Sequence, residues 1–218
     1  VDAGYDSRLE VDFALHENGA CGPAARWAAS AHVGDRLVLL GPARGMPYGG
    51  IEFAPGSATE VILAGDETAV PAISAIVESG LAGRGAFAFL EVPTEADILD
   101  LAVPSGVTIT WLPRGERPRG ELLLAAVADH VGSPAAPDAA SRTPVTDGPD
   151  LPWETPSYSA SGEPVARESA PSGGRYAWVA GESGIVTTIR RHLVREVGLD
   201  RSRVAFMGYW REGVAMRS

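Results

Sequence analysis

Residues 60–73 read EVILAGDETAVPAI, and this stretch decides the fold. Val61, Ile62, Leu63 and Ala64 form a short, unbroken apolar run, the pattern of a parallel strand buried on both faces. Gly65 stops it. Thr68 reads as the N-cap of the next helix, and Pro71 falls in the first turn, where a missing N–H does no harm. Val70, Ile73, Ile76 and Val77 then keep helical spacing. A strand, a tight acidic turn and a helix form the unit that places ligands at the carboxyl edge of an open α/β sheet.

The unit recurs. Residues 176–180 (YAWVA) are a second apolar strand, followed by Gly181-Glu182-Ser183-Gly184. A helix is predicted from about 183 to 197, with Ile185, Ile189, Leu193 and Val197 on one face. Two strands therefore end in nearly the same way, Ala-Gly-Asp-Glu-Thr and Ala-Gly-Glu-Ser-Gly. If they are neighbours where the strand order reverses, both turns face one crevice. Either turn alone reads equally as an ordinary strand–helix connection; the pair favours a site.

Between and after these units lie further strand-like runs, at 86–92 (AFAFLEV), 107–112 (VTITWL) and 203–208 (RVAFMG). A helix is predicted over 121–131, with Leu122, Leu123, Ala126 and Val127 inward. Five strands interleaved with helices indicate a Rossmann-like α/β sheet over residues 55–218. Residues 132–174 are dense in Pro, Ser and Ala and too long for an ordinary connection. They read as mostly irregular, ordered in part around Trp153 and Tyr158.

The start of the chain reads differently. Residues 9–16 (LEVDFALH) alternate, with Leu9, Val11, Phe13 and Leu15 on one face, as in a half-buried antiparallel strand. A short helix opens at Gly22-Pro23, with proline at its first positions. Residues 35–41 (DRLVLLG) form another strand. So few strands cannot close a barrel. Residues 1–54 therefore read as the later part of an antiparallel β-barrel domain whose beginning lies outside this chain, and the Gly- and Pro-rich stretch 41–57 as the connection.

Composition narrows the function. Hydrophobic residues make up 45% of the 218, with no apolar run near the ~20 residues of a membrane span. No signal-peptide pattern opens the chain, and a cytoplasmic location fits. A net charge of −10 argues against nucleic acid as the main partner. All 18 basic residues are arginine, which reads as genome composition rather than recognition chemistry. Cys21 stands alone, and His16, His32, His130 and His192 show no metal-ligand spacing.

Several segments converge on one resemblance. His16, Gly22-Pro23-Ala24-Ala25-Arg26-Trp27-Ala28, Gly34-Asp35-Arg36, Leu63-Ala64-Gly65-Asp66-Glu67-Thr68 and Pro71-Ala72-Ile73 resemble the siderophore-interacting proteins. So do Leu90-Glu91-Val92-Pro93, Trp178-Val179-Ala180-Gly181-Glu182 and Phe206-Met207-Gly208-Tyr209-Trp210-Arg211. The resemblance runs through nearly the whole chain in order. It implies an FAD-dependent NAD(P)H oxidoreductase of the ferredoxin-reductase superfamily that passes electrons to a ferric siderophore, with no membrane or nucleic-acid partner. Its fold would be a Rossmann-like NAD(P)H domain with a five-stranded parallel sheet, preceded by part of an antiparallel β-barrel flavin domain. A non-catalytic nucleotide- or siderophore-binding module stays open as the alternative.

The resemblance also assigns residues. His16, Gly22, Pro23, Ala24, Ala25 and Trp210 are expected at FAD. Gly65, Asp66, Glu67, Thr68, Gly181 and Glu182 are expected at NAD(P)H, the carboxylates as ribose or amide acceptors. Sheet topology, separately, puts the end of the third strand near the adenosine ribose: Arg114, with Arg117 or Arg119, reads either as a 2′-phosphate site favouring NADPH, since guanidinium forks suit a phosphate, or equally as a solvated loop in a lysine-free chain. No catalytic side chain and no protein-bound metal is expected. Two departures stand out: the family's Arg-x-Tyr-Thr flavin motif is expected upstream of Val1, and Ala25 replaces a serine.

Overall fold

The structure, a computed structural model, describes residues 11–15, 22–38, 52–81, 83–132, 153–154 and 173–214. Its centre is a sheet of five parallel strands with one short antiparallel strand at an edge. The elements are α1 (Pro23–Ser30), β1 (Glu60–Gly65), α2 (Val70–Gly80), β2 (Gly85–Val92), β3 (Val107–Pro113) and α3 (Glu121–Val131). There follow β4 (Trp153–Glu154), β5 (Arg175–Glu182), α4 (Ser183–Arg191) and β6 (Val204–Trp210). The strand order is β3-β2-β1-β5-β6-β4.

The apolar runs form central strands because both of their faces are covered. Along β1, Val61 and Leu63 join one core while Ile62 and Ala64 join the other. β5 divides the same way, Tyr176, Trp178 and Ala180 against Ala177 and Val179. The first face is closed by Val70, Ile73, Ile76 and Val77 of α2. The second is closed by Leu123, Leu124 and Val127 of α3 and by Ile185, Val186, Ile189 and Leu193 from α4 onward. Val61, Ile62 and Leu63 have no exposed surface. Each contributes about 1.5–3 kcal/mol by leaving water. β3 is the edge strand opposite β4, only partly covered, and it ends in Pro113, a residue tolerated there because it need not donate to a further ladder.

β1 pairs in parallel with β2 on one side and with β5 on the other. The order therefore reverses between β1 and β5, and the two similar turns are neighbours, as the paired motifs anticipate.

Several local expectations shift. Thr68 is not the N-cap of α2: Ala69 holds that position, and the Thr68 hydroxyl donates instead to Asp66 Oδ1 at 2.5 Å. The inward face of α3 is Leu123, Leu124, Val127 and Ala128, one residue on from the predicted phase. Three consecutive leucines leave that phase undetermined. α4 ends at Arg191 and continues as a π-helical turn over His192–Glu196. Within 132–174, Trp153 and Glu154 pair antiparallel with Met207 and Phe206; Tyr158 lies outside the described residues.

At the start of the chain, 11–15 and 35–38 are described, and neither stretch joins a ladder. Alternation specifies a strand only when a neighbour supplies its hydrogen bonds, and neither has one among the described residues. α1 forms where the Gly-Pro opening predicts it, but buries none of its residues.

Candidate functional site

The carboxyl ends of β1, β5 and β6 meet around one carboxylate. Asp66 is 1% exposed. Its Oδ1 accepts the Thr68 N–H at 2.9 Å as well as the Thr68 hydroxyl. Its Oδ2 accepts the Glu182 N–H at 2.8 Å and the Trp210 Nε1–H at 2.9 Å. Burial, then the nearby Glu67 charge, pushes this carboxyl above its ordinary value, against the pull of the bonds from Thr68 and Trp210. The strand ends come this close because Gly181 has no side chain. A Cβ there would stand 2.7 Å from the Asp66 carboxylate, and its φ of +138° favours glycine.

Glu182 points the other way. Its Oε2 accepts the N–H groups of Gly184 at 2.8 Å and Ile185 at 3.0 Å, capping α4 from the preceding residue. Its Oε1 accepts the Glu212 N–H at 3.4 Å, and Ser183 Oγ donates to the Trp210 carbonyl at 2.7 Å. The turn after β6 is thereby tied over the start of α4. An incoming anion would meet a carboxylate there rather than open N–H groups.

Glu67, next to Asp66, reaches toward the β3–α3 loop. It takes both arms of the Arg114 guanidinium, at 2.9 and 3.2 Å, and a bond from Arg119 at 2.5 Å. Burial pushes Glu67 up, but the two guanidinium groups outweigh it and hold the carboxyl below its usual range. Arg119 also lies over the Trp210 ring, 4.8 Å from its centroid. Arg117 stands apart, largely exposed and paired with Glu121 at 2.9 Å.

Sequence reasoning did not single out Glu91 or the closeness of Arg119 to Trp210. Glu91 has no exposed surface; its carboxylate accepts the N–H groups of Gly120 at 2.7 Å and Leu123 at 3.1 Å, and stands 4.0 Å from Arg114. Burial raises its carboxyl, against those two backbone bonds. The signal was available: a glutamate inside an apolar strand must find donors or abandon its charge.

Beside this network lies a cavity of about 350 Å³, within the size range of small-molecule sites. Phe13 and Leu15 form one wall, Glu67 and Pro71 a second, Val92 and Leu99 a third. It thus joins the start of the chain to the carboxyl edge of the sheet. Of the expected nucleotide residues, Gly65, Asp66, Glu67, Thr68, Gly181 and Glu182 cluster at this edge with Arg114. Of the expected flavin residues, Trp210 joins them. Gly22, Pro23, Ala24 and Ala25 open α1 outside the cavity wall, and His16 lies outside the described residues.

Two family models match the chain. A family model described as siderophore-interacting protein matches residues 58–213, and one described as siderophore-interacting FAD-binding domain matches residues 2–46. The chain is similar to the ferric vibriobactin reductase ViuB of Vibrio cholerae, 30% identical over 207 residues, covering 95% of this chain and 60% of that protein. Among solved structures it resembles a siderophore utilization protein from T. fusca, with a TM-score of 0.61 and 32% identity over 94% of this chain and 61% of that one. It also resembles the siderophore-interacting protein SipS from Aeromonas hydrophila, with a TM-score of 0.57 and 29% identity over 92% and 65%. The chain spans about three fifths of the length of the curated relatives it matches first. A reversing parallel sheet with a cavity at its carboxyl edge, matched from residue 58 to 213 by a single family description, has one reading: the chain belongs to the siderophore-interacting protein family.

Proposed function

We propose that this chain is the greater part of a ferric-siderophore reductase, in which NAD(P)H supplies electrons, FAD relays them and a ferric siderophore receives them. Reduction weakens iron's hold on hard oxygen ligands, and the metal is released. The reading assigns residues 1–54 to the flavin side and 55–218 to the nucleotide side, and places the protein in the cytoplasm. What carries it is the cavity: its walls come both from the segment matched as a siderophore-interacting FAD-binding domain and from the edge of a nucleotide-type sheet.

The residues present fit a flavin dinucleotide at one clear point. Gly22 is extended, with φ −64° and ψ 166°, and no side chain caps the first turn of α1. Nothing lies within 4 Å of where a Gly22 Cβ would be. The N–H groups of Ala24 and Ala25 in that first turn have no partner among the described residues and would suit a diphosphate, with no need of a hydroxyl. Bound there, FAD would supply the conversion between a two-electron hydride donor and one-electron reduction of ferric iron. The chain's own task is to hold both partners edge to edge. Val70, Pro71 and Val92 offer an apolar floor for a nicotinamide ring, while Asp66 and Glu182 fix the turns through backbone bonds.

The test is a rapid-mixing experiment on the full-length, FAD-loaded protein without oxygen. NADH or NADPH should bleach the flavin absorption, and a ferric siderophore should restore it with trapped ferrous iron as product. A flavin that neither nucleotide bleaches sinks the reductase reading and leaves a binding module. Glu182→Ala should slow bleaching roughly tenfold at unchanged FAD content, through loss of an ordered turn beside the ring.

A further inference from the structure

Arg114 and Arg119 make a guanidinium pair of the kind that recognises a phosphate, at the end of the strand where the reading above puts the adenosine ribose. The pair is already filled. Glu67 takes a two-armed fork from Arg114 and a third bond from Arg119, and all three side chains are largely buried, at 10–16% exposure. Arg119 is further held over Trp210. Glu91, committed to the start of α3, adds a second carboxylate 4.0 Å from Arg114. Asp66 brings a third from the next residue along.

We propose that Glu67 is a specificity-determining residue: a tethered carboxylate that occupies the arginine pair and denies it to the 2′-phosphate by which NADPH differs from NADH. A tethered ligand competes at a high effective concentration, without the entropy an incoming one loses. To enter, the phosphate must displace Glu67 from both arginines and leave its charge beside Asp66 in a site that excludes most water. NADH meets no such obstacle, because its ribose hydroxyl needs no guanidinium. The arginines are thus structural in the wild-type chain, and the charge at position 67 sets the preference for NADH. This inference rests on the nicotinamide reading given above.

The experiment measures binding of NAD⁺ and NADP⁺ to the full-length protein by calorimetry at fixed ionic strength, since surface charge effects are screened by salt. In the wild type, NADP⁺ should bind no more tightly than NAD⁺. Glu67→Gln keeps the size and removes the charge, and should shift the affinity ratio about tenfold toward NADP⁺ over NAD⁺. Adding Arg114→Gln to that variant should erase the gain. Arg114→Gln alone should leave the ratio of the two affinities as it is, and this arm decides the matter if Glu67→Gln fails to fold. A folded Glu67→Gln protein without the gain overturns the inference, as does selective loss of NADP⁺ binding in Arg114→Gln alone. Binding of neither dinucleotide by any form overturns the nicotinamide reading itself.

Discussion

Asp66 and Glu182 each follow a glycine at the carboxyl end of a parallel strand, and their turns lie side by side. Asp66 reaches across the sheet, taking donors from its own turn, from the end of β5 and from β6. Glu182 folds back on the helix it precedes. One carboxylate joins three strands, while the other caps one helix and reaches besides only the turn after β6, although the letters around them are nearly the same. Motif similarity therefore establishes where a residue stands but not which groups it satisfies. That depends on which strand ends converge and on where a missing side chain leaves room.

The strongest way to break this contrast is to remove the room. Gly181→Ala places a Cβ 2.7 Å from the Asp66 carboxylate at a φ of +138°. The expected loss is about 4 kcal/mol or more, among the larger single-residue effects. Urea denaturation would read it, and a loss below about 1 kcal/mol would show that the crossing strands tolerate separation.

The next test compares the carboxylates directly. Asp66→Ala strands the Trp210 and Glu182 N–H groups in a buried place and should cost about 3 kcal/mol. Glu182→Ala removes an N-cap, worth about 1–2 kcal/mol. Equal losses in denaturation midpoints, or the reverse order, would dissolve the distinction drawn between a strut and a cap.

The smallest effect sharpens the difference between Asp66 and its neighbour Glu67. Glu67 is held below its ordinary value of 4.5, so its contribution is complete above that value and fades as pH falls through the folded pKa. Asp66 is raised above 3.8, so the folded chain holds its proton more tightly than the unfolded one. The stability it adds is greatest in acid and declines as pH rises through the folded value. Thermal melts should show the deficit of Glu67→Gln shrinking on acidification and that of Asp66→Asn growing. Each change should be on the order of 1 kcal/mol. Parallel trends would mean that the two carboxyls do not titrate in opposite senses.

Much of the fold was legible in the letters. The runs at 61–64 and 176–180 are apolar on both faces, and that requires cover on both sides whatever the rest of the chain does. α3 shows the limit of the same signal: Leu122, Leu123 and Leu124 announce a buried helix but not which of them turns inward. Residues 11–15 show another, since alternation with no partner strand among the described residues specifies a face and not a ladder. In the site, the acidic turns and the arginine loop were visible as separate motifs. Their closure onto each other was not, because α2, β2 and β3 intervene in sequence between Glu67 and Arg114.

By itself the sequence determined the five parallel strands and the helices between them, the kinship with siderophore-interacting proteins and the concentration of charge at the ends of strands. These follow from hydrophobic period and from residue order, both readable within a few positions. Only the tertiary structure decided what the charges do. Asp66 finds the Glu182 N–H 116 residues away and the Trp210 indole 144 residues away, while Glu67 meets Arg114 across 47. A buried carboxylate takes whichever donors the strand order brings to it, and that order is set by packing of the whole sheet rather than by any stretch of the chain.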